Sequence, residues 1–312
     1  MSESPPLVSV LVLCYNHAPY VAESIRSVLE QDYPAIELIV CDDGSDDESR
    51  EVIRDIVKAN PHIKTRLSEV NQGYTRTFNT AFAESKGVFL IDLAADDVLL
   101  PGRISKQVAL FAESGPKTGV VYSDAQYIDA GGKPLHKHFG PAPAKVPNEK
   151  PPSGDLYARL LRGYLIAAPT MMIRREVLDA LGGYDEHLDY EDFDFWVRSA
   201  RHWHYAYLNA VTTKTRILDS SLGAQQYRPG SKQLEDTLAI CRKAATQNNT
   251  WAEKQALIAR LRYEYRQALL CGQEKVASAY WEFLKETEGR DLLSHLLHLS
   301  SRLLLHFGRQ KG

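Results

Sequence analysis

The chain has 312 residues, with 37 Lys and Arg against 40 Asp and Glu, and its net charge of −3 excludes a generally basic nucleic-acid binder and an acidic disordered chain. At 44% hydrophobic and 25% charged residues, with a mean hydropathy of −0.32, it can bury a sizeable core in one large domain or one domain plus an appendage. Collagen-like, low-complexity and disulfide-scaffold classes fall away.

From the N-terminus, apolar β-rich runs alternate with helix-period segments, the pattern of βαβ units on a parallel sheet. Strands are predicted at Val8 to Cys14, Ile36 to Cys41, Ile63 to Leu67, Val88 to Leu93 and Gly119 to Ser123. They are mostly continuous apolar runs, as strands covered on both faces require. The helix predicted over Tyr20 to Gln31 carries Val21, Ile25, Val28 and Leu29 on one stripe. The next, Asp46 to Lys58, is opened by Ser45-Asp46-Asp47-Glu48 as a capping box. Two more run over Thr75 to Ser85 and Pro101 to Glu113, the latter with proline in its first turn.

A hairpin is expected next, turning at Gly131-Gly132 between Ala125 to Asp129 and Pro134 to Phe139. Pro141, Pro143, Pro147, Pro151 and Pro152 then predict an extended, mobile loop, either a lid or a spacer. Beyond it come a helix over Asp155 to Arg162, a strand near Pro169 to Ile173, a helix from Asp192 to Arg201, and strands at Tyr205 to Leu208 and Thr213 to Leu218. Residues 231 to 312 have helix periodicity almost throughout, with stripes such as Ile258, Leu261, Tyr265, Leu269 and Val276, Tyr280, Phe283. The expected organisation is an α/β domain over residues 1–230 and a helical C-terminal region over 231–312. Charge follows a similar division: residues 228 to 312 hold 14 Lys and Arg against 9 Asp and Glu, and residues 1 to 227 hold 23 against 31.

Cys14, Cys41, Cys241 and Cys271 show neither C-x-x-C spacing nor a nearby His pair that would make a zinc site. Met1 to Pro6 has neither the positive nor the apolar region of a secretory signal. The uncharged stretch from Gly163 to Ile173 falls short of the ~20 residues that span a bilayer. A reduced, cytoplasmic protein without membrane-crossing segments is expected.

Ligands of such a sheet bind beyond the carboxyl ends of its strands, and acidic pairs stand there: Asp42-Asp43 after strand two, Asp96-Asp97 after strand four, and Glu191-Asp192 before a later helix. Converging carboxylates repel one another unless a cation or a donor-rich ligand sits among them. Mg²⁺ and Mn²⁺ take oxygen ligands and are often held by one or two carboxylates plus substrate phosphates, so a metal diphosphate fits short acidic pairs.

Val8 to Asn16, Ser27 to Pro34 and Glu37 to Ser45 resemble the opening of the family 2 glycosyltransferases, inverting enzymes of GT-A fold. The resemblance continues through Asn71-Gln72-Gly73, Asn79, Gly87, Asp96-Asp97, Pro101, Arg103, Gly182-Gly183-Tyr184-Asp185-Glu186 and Glu191-Asp192 with Trp196 and Arg198, covering about residues 7 to 220. It implies a nucleotide-sugar donor, with Tyr15 against the nucleobase and Asp43 accepting the N3–H of a uracil-like or thymine-like edge. It places Asp96 at the ribose or metal, Asp97 on Mn²⁺ or Mg²⁺, and Asp42 as a brace of its turn. The motif here is Ala94-Ala95-Asp96-Asp97, without the first Asp of a strict D-x-D. Asp192 resembles the catalytic base, with Glu191 its neighbouring competitor; both also suit the positive end of a helix dipole. Arg76 is either a diphosphate contact or a solvated helix arginine. Arg216 matches a later family segment in which a His often follows two residues on, where this chain has Leu218.

The implied activity is metal-dependent transfer of a sugar from a UDP or dTDP donor to a hydroxyl of a glycan or lipid-linked saccharide. The rival reading is a nucleotide-sugar-binding or scaffold protein of the same fold without turnover. Nucleotidyltransferase, dehydrogenase and P-loop readings fail for want of a Gly-rich phosphate loop after the first strand. At the C-terminus, Leu292, Leu296, Leu299, Leu303 and Phe307 share a stripe, while His295, His298, Arg302 and Arg309 lie largely elsewhere. Such a segment either rests on an anionic membrane surface or packs on its own domain or a second subunit.

Overall fold

The structure, a computed structural model, describes residues 4–188, 190–218, 227–293, 295, 296, 298 and 299. It divides into two compact units: Met1–Leu156 with Leu165–Glu186 and Ser199–Leu218, and Tyr157–Tyr164 with His187–Arg198 and Asp219–Gly312.

The first unit is built on a mixed sheet. β1 (Val8–Cys14) pairs in parallel with β2 (Ile36–Asp42) and β4 (Phe89–Ala94), and β3 (Lys64–Leu67) extends the parallel set from β2. With β5 (Val98–Leu99), β6 (Thr118–Ile128), β10 (Met172–Arg174) and β11 (His204–Arg216), the order is β3-β2-β1-β4-β10-β6-β11-β5, and β7 (Pro134–Lys137) pairs with β6. Every residue of β1 is buried. Val8, Val10 and Val12 pack with Val21, Ile25 and Val28 of α1 (Val21–Leu29), Ile53 of α2 (Ser49–Ala59) and Ile104 and Phe111 of α4 (Arg103–Ser114). The alternate residues Leu11 and Leu13 are equally buried, and α3 (Tyr74–Glu84) packs against β1 as well. Each fully buried Val, Leu or Ile contributes about 1.5–3 kcal/mol, which is why uninterrupted apolar runs became the central strands.

Several expectations need correction. The capping box at Ser45 does not form: the cap position of α2 is Glu48, without a side-chain bond, and the Ser45 hydroxyl donates to Asp42 instead (2.5 Å). The two strands expected after residue 204 are one, β11, whose pairing with β6 is shifted between Leu208 and Thr213. Bulging of that kind hides a continuous strand from a period-two reading. A helix not foreseen, α6 (Arg175–Leu181), follows β10. Within the Pro-rich loop, β8 (Phe139–Gly140) and β9 (Val146–Pro147) pair in parallel.

The second unit is helical, and its make-up differs from a single break at residue 230. It joins α5 (Tyr157–Arg162) and α7 (Glu191–Ala200, as far as Arg198) to α8 (Gln233–Gln247), α9 (Trp251–Leu270) and α10 (Glu274–Glu286). Phe193, Phe195, Trp196, Ile240, Leu261, Tyr265, Tyr280 and Leu284 are all buried. A complete capping box, Thr250 with Glu253, opens α9. Charge is buried here too: Asp194 meets Lys243 (3.1 Å) and Arg198 (2.5 Å), and Arg260 meets Glu264 (2.9 Å). No helix among the described residues is long and apolar enough to cross a membrane.

Candidate functional site

The parallel register sets the site. Cys14 lies opposite Asp42, and Leu13 opposite Ala94. The segments Tyr15-Asn16-His17, Asp42-Asp43-Gly44-Ser45 and Ala95-Asp96-Asp97 therefore leave the sheet at one edge, beyond the carboxyl ends of β1, β2 and β4. Backbone bonds tie them to β1: the Asp43 amide donates to the Cys14 carbonyl (2.9 Å) and the Ala95 amide to that of Leu13 (2.8 Å). The Asn16 amide donates to Ser45 Oγ, and Asn16 Oδ1 accepts the Asp46 amide.

The two neighbouring aspartates have different partners. Asp42, fully buried, accepts the Ser45 amide on Oδ1 (3.0 Å) and the Ser45 hydroxyl on Oδ2, the bracing role the sequence suggested. Asp43 accepts the amides of Gln72 (2.8 Å) and Gly73 (2.9 Å), one on each oxygen, and so ties the Asn71-Gln72-Gly73 loop to the edge. Gly44, which follows Asp43, has φ +73°, and a Cβ there would stand 2.5 Å from the Val70 carbonyl carbon; only glycine fits so close a crossing. Tyr15 is 42% exposed rather than a core aromatic, presenting a ring at the rim.

Asp96 and Asp97 are both buried. Asp97 Oδ1 accepts the Arg216 amide (2.8 Å), leaving Oδ2 for any ligand. Burial and then the Asp96 charge push the Asp97 carboxyl well above the ordinary carboxylate range, against the pull of Arg216 and Arg103. Burial raises Asp96 too, offset first by His17. His17 Nδ1, buried and without a hydrogen-bond partner, lies 3.9 Å from Asp96 Oδ1.

A divalent cation is what such a pair lacks, and carboxylate oxygens suit Mg²⁺ or Mn²⁺. Among the described residues no group of three His, Cys, Asp or Glu forms a metal cage. An ion shared with a substrate diphosphate needs none, so the residues present fit the implied metal.

The arginines are engaged. Arg216 Nε donates to the Asp96 carbonyl, Nη1 to the carbonyls of Asp129 and Ala130, and Nη2 to Glu23 (2.7 Å), while its guanidinium covers Tyr20. It is a brace for the Asp96-Asp97 turn. Arg103, fully buried behind Asp97, donates to Gln107, Thr213 and the Met171 carbonyl; burial lowers its pKa to about 9. Arg76 pairs with Glu186 (3.2 Å) on a half-exposed surface.

One carboxyl escaped the sequence reading. Asp92, in the middle of β4, accepts the hydroxyls of Tyr74 (2.7 Å) and Tyr184 (3.1 Å). The residue is part-buried, yet desolvation of its carboxyl pushes the pKa up to about 7. The signal available was a lone acid in an apolar strand. Tyr184 is held further by Asn79, which accepts its amide and donates to its carbonyl, and by Phe78, stacked at 4.2 Å. Gly183 permits this approach, since a Cβ there would stand 2.3 Å from Asn79 Oδ1.

Glu191 and Asp192 belong to the second unit, part-buried in the first turn of α7. Asp194, two residues on, is fully buried and has both oxygens ion-paired, which removes it as a competing base.

The family model for glycosyl transferase family 2 matches residues 9–182. An uncharacterized glycosyltransferase of Methanocaldococcus jannaschii is 31% identical over 198 residues, 62% of this chain and 64% of that one. One of Nostoc is 37% identical over 107 residues, 34% of this chain and 33% of its own length. TuaG of Bacillus subtilis, a provisionally named teichuronic acid biosynthesis glycosyltransferase, is 25% identical over 74% of this chain and 87% of its own. Among solved structures, S. aureus TarS 1-349 in complex with UDP-GlcNAc superposes with TM-score 0.65 at 19% identity, covering 82% of this chain and 71% of that one. A mannosyltransferase of Pyrobaculum calidifontis in complex with GDP-Man and Mn²⁺ gives 0.61 at 18%, covering 97% and 81%.

Proposed function

This chain belongs to glycosyl transferase family 2 and has the GT-A fold; we propose that it is a glycosyltransferase, an inverting, metal-dependent enzyme that transfers a sugar from a UDP or dTDP donor to a hydroxyl of a glycan or lipid-linked saccharide in polysaccharide assembly. The observation that carries this reading is the single sheet edge that gathers exposed Tyr15, amide-anchored Asp43 and the Asp96-Asp97 pair.

In this reading Tyr15 offers its ring to the nucleobase. Asp43 keeps lone pairs for the base N3–H, because each carboxylate oxygen has two and one amide occupies one. Asp96 and Asp97 Oδ2 would hold Mn²⁺ or Mg²⁺, which when bound neutralises charge on the departing diphosphate. Asp97 would use Oδ2, its Oδ1 being committed to the Arg216 amide, and Asp96 would face the ribose or the ion. Arg76 could reach a diphosphate only by leaving Glu186.

Asp192 removes the acceptor proton. The hydroxyl oxygen forms its bond to the anomeric carbon from the face opposite the diphosphate, the carbon–oxygen bond to that group breaks, and the proton passes to the Asp192 carboxylate. A carboxylate is a weak base, so Asp192 needs a short contact to the hydroxyl to act as one. Glu191 is the competing group.

A thermal-shift panel of nucleotide sugars with Mn²⁺ identifies the donor, and release of its nucleoside diphosphate then reports turnover. Asp96→Ala and Asp97→Ala are expected to abolish metal-dependent release. Asp192→Asn is expected to lower it roughly 10²–10⁴-fold with donor binding retained; a fall no larger than the loss of binding removes the base assignment. Mn²⁺-dependent donor binding without any release would move the chain to the scaffold reading.

A further inference from the structure

The described residues of 292–299 are helical, and the polar side of this segment faces the protein. The His298 ring stacks on Trp281 at 4.1 Å and 8° between planes, with Nδ1 3.3 Å from the Tyr265 hydroxyl, and His295 meets Trp281 edge-on at 5.1 Å. The leucines point away: Leu292, Leu293, Leu296 and Leu299 are 77%, 48%, 55% and 59% exposed. A helix whose role is to dock on its own unit would turn these leucines inward.

We propose that this leucine face binds the interface of an anionic lipid bilayer. The reading is independent of the donor site. Charge and sequence select the occupant. Residues 300–312 continue with Arg302, Leu303, Leu304, Leu305, Phe307, Arg309 and Lys311 and contain no acidic residue, and residues 228 to 312 carry five more basic than acidic groups. Apolar side chains entering the acyl boundary, with arginine and lysine at the level of anionic headgroups, satisfy both features at once. No described helix is long and apolar enough to cross a membrane, and the proposed contact is a peripheral one.

The test is flotation of the full chain, at roughly physiological salt, with vesicles of phosphatidylcholine alone or with about a third phosphatidylglycerol. The native chain is expected to float at least about tenfold more with the anionic vesicles. The double variant Leu292→Glu/Leu296→Glu, at exposed positions and with an unchanged circular dichroism spectrum, is expected to stay at the bottom. A native chain that does not float, or a variant that floats equally, overturns the proposal. So does light scattering without vesicles that shows a dimer dissolved by the same substitutions, which would assign the face to a second copy.

Discussion

The two units treat buried carboxylates in opposite ways. At the sheet edge of the first, Asp42 is satisfied by an amide and a hydroxyl and Asp43 by two amides, and Arg50 approaches Asp42 only to 3.9 Å. In the second, Asp194 is clamped between Lys243 and Arg198, and Glu264 lies against Arg260, whose guanidinium also covers Phe193 (4.2 Å). Peptide N–H groups orient a carboxylate without cancelling its charge, whereas ammonium and guanidinium groups cancel it. The first arrangement leaves negative charge for a ligand to meet. The second is structural.

The largest effect that bears on this contrast belongs to the second unit. Arg260→Ala would leave Glu264 buried and unpaired and is expected to cost about 3–5 kcal/mol in urea unfolding. The apolar pair Arg260→Met/Glu264→Leu should recover most of that, because it removes both charges; no recovery would mean that Arg260 does more than neutralise Glu264.

Next comes Asp92, held by tyrosine hydroxyls alone among the described residues. Its folded pKa of about 7 lies above the ordinary 3.8, so the native state binds more protons across that window and stability falls as pH rises from about 4 to 7. The loss is at most about 4 kcal/mol, at roughly 1.4 kcal/mol per unit. Asp92→Asn should flatten this part of the profile, and an unchanged slope would locate the titration elsewhere.

Asp43→Ala frees two loop amides and should cost about 1–3 kcal/mol, at the lower end because water can reach them. If it cost as much as Arg260→Ala, amide anchoring and ion pairing would be equivalent. Least of all, Arg76→Ala removes an exposed pair with Glu186 and should change stability by about 0.2–1 kcal/mol.

Much of the site was legible in the chain. Val8 to Cys14 and Ile36 to Cys41 read as buried strands because seven and six consecutive residues are largely apolar. Once strands alternate with helices in parallel, their carboxyl ends must share an edge, which placed Asp42, Asp43, Asp96 and Asp97 together before any coordinate. Ser45 misled because the motif of a helix cap is the same whether the hydroxyl turns to the helix or to Asp42. Arg216 resembled a site arginine, and only its five neighbours show that it is a brace.

What the sequence by itself determined is local: periodicity, turns and the acidic pairs that follow strands, all governed by interactions within a few residues or by the handedness of βαβ connections. The tertiary structure alone decided that α7, with Asp192, shares its unit with helices from residue 233 onward, that Asp194 is neutralised by Lys243 from 49 residues away, and that His295 and His298, rather than Leu292, Leu296 and Leu299, meet Trp281. Each depends on which distant surface offers a cation or an aromatic ring, and no spacing within a segment encodes that partner.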